Sequence, residues 1–202
     1  MATTLDEIAK YLDEDNLRYQ RREEDIITGF GTKQYRDSDE DLHIRIVIAP
    51  SENGEYLKVF CPGVYNCSQS PHKAIALQTL LLVSWRTKLV QFEYDENDGE
   101  IRAIIEFPLE DALLTKKQLL RCLSGIAQIV DQFDPVIRGA LERGVVEWTP
   151  EIEASRTIAR ALAGGGGTDD LMRRFAEFIA AEEGQTRGGG GDGKGGDLGL
   201  GD

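Results

Sequence analysis

The chain has 202 residues, of which 36 are acidic and 23 basic, for a formal net charge of −13, and 41% are hydrophobic. That hydrophobic share can build a core without metal or disulfides, while the negative balance argues against a phosphate-binding face and so against direct nucleic-acid binding. Cys61, Cys67 and Cys122 make an odd count with no disulfide framework, MATTLDEIAKYLDED has no basic or apolar region of a secretory leader, and the most apolar run, 74–85, is too short for a bilayer. The expectation is a cytoplasmic protein with no membrane segment.

The first helix is expected to start at Thr4, where Thr4 and Glu7 have capping-box spacing. Leu5, Ile8, Ala9 and Leu12 follow on one face. Residues 17–20 and 25–30 read as short strands, and the charged stretch 36–41 as a solvated loop. Residues 42–49 alternate, with Leu42, Ile44, Ile46 and Ile48 on one face and His43 pointing outward. Asn53-Gly54 signals a tight turn, with residues 56–61 returning as the antiparallel partner.

Ser70-Pro71 predicts a helix start with serine as cap and proline at the first helical position. The helix to Arg86 carries Ile75, Leu77, Leu80, Leu81, Leu82, Val83 and Trp85, apolar on nearly every side. Such a helix lies between layers or keeps one face for a partner. Residues 89–95 and 100–107 pair through the Asn97-Asp98-Gly99 turn. Thr115 and Gln118 form a second capping box ahead of a long helix carrying Leu119, Leu123, Ile126, Ile129, Val130, Phe133, Ile137 and Leu141. Pro135 inside it removes one backbone donor and predicts a kink.

Beyond this unit, placed at 1–148, the expected segments are a helix at 149–163, a glycine linker at 164–167, an amphipathic helix at 168–183 and a disordered glycine-rich tail at 184–202. The fold class is α+β: an antiparallel sheet with helices packed on one face, plus the C-terminal helical extension and tail.

The opening that ends in YLDEDNLRY, and the run VQFEYDENDGEIRAIIEFPLEDALLTKKQL, resemble the YbjN family. The likeness covers about residues 4 to 142. It implies a fold shared with type III secretion chaperones and regulatory or chaperone-like work on other proteins. It also implies the homodimeric habit of those small acidic chaperones. The extension 149–202 and the acidic loop 36–41 depart from the family pattern.

No set of residues reads as catalytic. A nucleophile needs a histidine and an orienting carboxylate beside it, and His43 and His72 stand on a strand and at a helix start. Cys61 and Cys67 flank Pro62-Gly63 without paired C-x-x-C spacing, so no metal or cofactor site is assigned to them. Asp95, Asn97 and Gly99 suggest a calcium loop, but the glycine falls at the wrong position. Gly188 to Lys194 matches a phosphate-loop pattern by letter only, because Gly195 stands where a hydroxyl is needed.

What remains is surface. Leu77, Leu81 and Trp85, together with Leu171, Phe175, Phe178 and Ile179, are the candidate partner-binding residues. The functional expectation is a non-enzymatic protein-binding module, acting as chaperone, adaptor or regulator on a basic or extended segment of a partner protein. The alternative is a small-molecule sensor with a pocket between the sheet and helix 70–86, lined by Tyr56, Tyr65 and Trp85.

Overall fold

Capping fixes where the first and last helices begin. In the computed structural model, which describes residues 3–148, α1 (Leu5–Glu14) starts behind Thr4. The Thr4 hydroxyl accepts from the Glu7 N–H at 3.3 Å, and the Thr4 N–H donates to the Glu7 carboxylate at 3.0 Å. Its apolar stripe buries Ile8, Ala9 and Leu12. The segments expected at 149–163, 164–167, 168–183 and 184–202 lie outside the described residues.

Six strands follow the period-2 pattern: β1 (Tyr19–Arg21), β2 (Ile26–Gly31), β3 (His43–Ser51), β4 (Tyr56–Asn66), β5 (Gln91–Tyr94) and β6 (Glu100–Pro108). They form one antiparallel sheet in the order β1-β2-β3-β4-β6-β5. Alternate residues of its inner face, among them Ile44, Ile46, Ile48, Leu57, Val59, Ile101 and Ile105, join one core with Leu12, Leu80, Val83, Ile126 and Val130 from the helices. The fold is thus α+β, with helices against the inner face of an antiparallel sheet. On the outer face Ile27, Val47, Phe60 and Ile104 stand side by side across β2, β3, β4 and β6.

Leu42 departs from the expected pattern: it precedes β3 and is exposed. The turn at Asn53-Gly54 is also wider than a two-residue hairpin. The last pair is Ser51 with Tyr56, and Glu52, Asn53 and Gly54 between them all have positive φ. The Gly54 carbonyl accepts from the Thr3 N–H at 3.1 Å, and the Glu55 carbonyl accepts from Leu109 and Glu110. These bonds to segments distant in sequence hold the wider loop. Strand β4 runs five residues further than its alternation predicts, through an irregularity between Cys61 and Tyr65 that contains Pro62-Gly63.

The β5–β6 hairpin closes at Gly99, with φ 77°, and a Cβ there would fall 2.5 Å from the Ser68 nitrogen. Helix α2 (Lys73–Arg86) begins two residues later than the Ser-Pro signal places it. The Ser70 hydroxyl instead donates to the Leu141 carbonyl at 2.6 Å and accepts from the His72 N–H at 3.1 Å. Tertiary bonding thus claims Ser70, and the helix opens at His72 with no side-chain cap.

Helix α3 (Lys116–Arg138) opens with the expected box between Thr115 and Gln118. It passes through Pro135 to Arg138, and α geometry ends only at Gly139–Arg143, a π turn closed by Gly144 at φ 68°.

Candidate functional site

Helix α2 has no polar face, so packing alone selects which side is buried. Ala76, Thr79, Leu80 and Val83 face the core. At 100° per residue the opposite side carries Ala74, Ile75, Gln78, Leu81, Leu82 and Trp85. Leu81 is 70% exposed and Trp85 87%, with Ile75, Leu82 and nearby Leu89 also open. Exposed Ile75, Leu81, Leu82 and Trp85 make an apolar ridge about 15 Å long, interrupted by Gln78. Leu77 is not part of it; it is partly buried and packs on the core. Leu171, Phe175, Phe178 and Ile179 lie outside the described residues.

Two cations held on aromatic rings stand at the two ends of α2. At its start Lys73 Nζ lies 4.5 Å from the ring centroid of Tyr94 and is hydrogen-bonded to the Tyr94 hydroxyl. That bond is the largest cause raising the Lys73 pKa. At its end the Arg86 guanidinium stacks 3.7 Å over the Trp148 ring, which meets Phe133 edge-on. Lys88 follows, exposed. From Cys67 through Phe92 there is no aspartate or glutamate, in a chain that carries 36.

The other singled-out residues are not brought together. His43 is exposed on the outer face of β3, and His72 is half-buried before α2, where it closely approaches Gly144. Cys61, Cys67 and Cys122 are buried and free. Burial raises the Cys61 thiol strongly and the Cys122 thiol to about 11, so neither is a ready nucleophile at neutral pH. Among the described residues no group of three or more His, Cys, Asp or Glu is placed to hold a metal ion. The Asp95 carboxylate accepts from the Asn97 N–H at 2.9 Å and its side-chain amide at 2.8 Å, which lowers its pKa and accounts for it as a turn residue.

The sensor pocket expected between the sheet and helix 70–86 does not assemble from its three aromatic residues. Tyr65 is 5% exposed and spends its hydroxyl on Asp134, while Trp85 points outward. An open depression lies instead at the β5–β6 hairpin, lined by Glu93, Tyr94, Asp95, Glu96 and Arg102.

Sequence reasoning missed a polar cluster at the far end of α3. Asp134 is 3% exposed, accepts from the Tyr65 hydroxyl at 3.0 Å, and takes the Arg138 Nε at 3.1 Å. Burial raises its pKa to about 6, with Arg138 and the Tyr65 bond opposing. Tyr35 meets Tyr65 edge-on at 5.9 Å and is itself pushed up to about 12, chiefly by burial. One turn earlier the Asp131 carboxylate accepts from three consecutive N–H groups, Lys33, Gln34 and Tyr35, at 2.9, 2.7 and 2.9 Å. The cluster holds the β2–β3 loop against α3. Only the Asp134/Arg138 spacing of four on a helix was a sequence signal for it.

No family model matches the chain, and no curated protein matches it. Among solved structures it is similar to a crystal structure of YbjN from E. coli, described as a candidate transcription regulator, at 10% identity and a TM-score of 0.47, covering 65% of this chain and 92% of that one. Among the described residues no helix is long and apolar enough to cross a membrane.

Proposed function

We propose that the chain is a non-catalytic protein-binding module, acting as a chaperone, adaptor or regulator, and that the outer ridge of α2 is its binding surface. The observation that carries this reading is the exposure of Leu81 and Trp85, 70% and 87%, on a helix whose other side lies in the core. Single exposed apolar residues are ordinary, whereas Leu81, Leu82 and Trp85 adjoining on one helix side have the composition of an interface. The free thiols of Cys61, Cys67 and Cys122 support a reducing compartment, the cytosol, as its place of action. Residues 168–183, with Leu171, Phe175, Phe178 and Ile179, are proposed as a second binding element, and a homodimer as the assembled form.

The test is affinity capture with the full chain and its Leu81→Asp/Trp85→Asp variant, read by mass spectrometry. A stoichiometric protein held by the wild type and lost from the variant is the expected result. Equal capture by both removes α2 as the binding surface. Light scattering on the same samples reads the homodimer directly.

A further inference from the structure

We propose that the β2–β3 loop, residues 32–42, is a proton-operated strap that fastens on α3 while Asp134 is protonated and loosens when Asp134 ionises.

The loop is built as a closed unit. The Thr32 N–H donates to the Leu42 carbonyl at 3.2 Å and ties its neck, and the Thr32 hydroxyl donates to the Tyr35 carbonyl at 2.6 Å. Inside it the Arg36 guanidinium donates to the Glu40 carbonyl at 2.7 Å. The Asp37 carboxylate accepts from the Asp39 and Asp41 N–H groups, each at 3.0 Å. A compact loop with its ends together and its own internal bonds can swing as a body on its neck.

Its attachment to α3 has two parts. The Asp131 carboxylate takes the N–H groups of Lys33, Gln34 and Tyr35. The second part runs through the two side chains that bond Asp134. Tyr65, which donates to Asp134, meets the Tyr35 ring edge-on. Arg138, which donates to Asp134 through Nε, also donates through Nη2 to the Arg36 carbonyl, and its guanidinium stands 6.0 Å from the Tyr35 ring centroid. Loop and carboxyl thus share both partners. Drawing residues 35–36 off Tyr65 and Arg138 is the small motion that admits water to Asp134.

Burial sets the direction. A carboxyl closed from water holds its proton more tightly than the same carboxyl hydrated, and burial is the largest cause raising Asp134. Proton binding therefore favours the fastened loop, and ionisation favours the loosened one. On α3 the facing groups are Arg138, which opposes the rise, Asp131, which adds to it, and Glu142, 3.8 Å from Arg138. On β4 they are Tyr65, whose bond also opposes the rise, and Cys61; in the loop they are Tyr35 and Asp37. Tyr35, Tyr65 and Cys61 are all pushed upward by burial and keep their protons at neutral pH. Asp131 acts in the opposite sense, because its ionised form is the one that accepts three N–H groups.

Hydrogen exchange on the full chain, followed by NMR from about pH 5 to 7.5 and corrected for intrinsic rates, tests the strap. Protection of the Lys33, Gln34 and Tyr35 amides should fall about tenfold across this range. Their exchange should be unchanged in about 1 M urea, the mark of local opening, whereas Val59 and Ile105 of the central strands exchange more slowly and respond to urea. Asp134→Asn should abolish the fall. Tyr65→Phe, which removes a bond favouring the ionised form, should move it to higher pH.

Protection that is constant or rises with pH overturns the proposal, as does a fall that persists in Asp134→Asn. Should that variant not fold, Tyr65→Phe decides, and an unmoved fall overturns it. Loop amides that share the urea response of Val59 and Ile105 open only with the whole fold, which also removes the strap.

Discussion

Asp134 is the residue whose environment departs furthest from what its letter implies. Its carboxyl is raised from the ordinary 3.8 to about 6, first by burial. A carboxyl whose folded-state pKa is raised binds its proton more tightly in the folded than in the unfolded chain. Its contribution to stability is therefore present in full below about pH 4 and is lost as pH rises through 6. Above pH 7 it no longer varies, and the ionised group relies on Arg138 and Tyr65. Asp134→Asn keeps an oxygen for the Tyr65 hydroxyl and removes the titration. Urea unfolding of wild type and Asp134→Asn from pH 4 to 7.5 should show wild-type stability declining relative to the variant up to about pH 6.5. Parallel curves would show that Asp134 does not titrate in this window. Asp134 and Tyr65 are separated by 69 positions and Asp131 and Lys33 by 98, so no local pattern announces either contact.

Among the elements, those governed by local chemistry behave as their sequences dictate. Thr115 caps α3: its hydroxyl accepts from the Gln118 N–H at 3.2 Å, and the Gln118 amide oxygen accepts from the Thr115 N–H at 2.9 Å. Thr115→Ala loses the hydroxyl arm of the box, keeps the backbone N–H that donates to Gln118, and should cost about 1 kcal/mol of unfolding free energy in urea denaturation. A loss near zero would mean that water replaces the cap without penalty. Helix α2 is the contrary case. Ser70-Pro71 carries a start signal, yet the Ser70 hydroxyl is spent on Leu141, 71 residues away, and the helix begins at Lys73. Pro135 stands inside α3, which continues to Arg138 and changes geometry at Gly139–Arg143. At Ser70 a long-range contact outweighs a local capping preference worth about 1 kcal/mol.

Across the whole molecule, charge and apolar area are unevenly distributed. An acidic chain keeps a neutral-to-basic helix, and that helix keeps its aromatic outward. Because the outer ridge of α2 makes no contribution to the core, Leu81→Asp/Trp85→Asp should leave the unfolding free energy within about 0.5 kcal/mol of wild type. Leu80→Asp, on the buried side, should prevent folding. Circular dichroism with urea titration checks both; a large loss in the double variant would show that the ridge is covered and structural.

The sequence alone determined the α+β class, the capping boxes at Thr4 and Thr115, the inner-face alternation of Ile44, Ile46 and Ile48, and the hairpin closing at Gly99. These depend on periodicity and on bonds between residues a few positions apart, so a local reading contains them. Only the tertiary structure decided that Leu77 packs with the core while Leu81 and Trp85 remain outside, that Tyr65 serves Asp134 in place of a pocket, and that Asp131 gathers the backbone of residues 33–35. An all-apolar helix has no polar face to mark its outer side, so its orientation is fixed by the layer it meets. A buried carboxyl finds its partners by the folding of strands and helices far apart in the chain, and that geometry is written in no single segment.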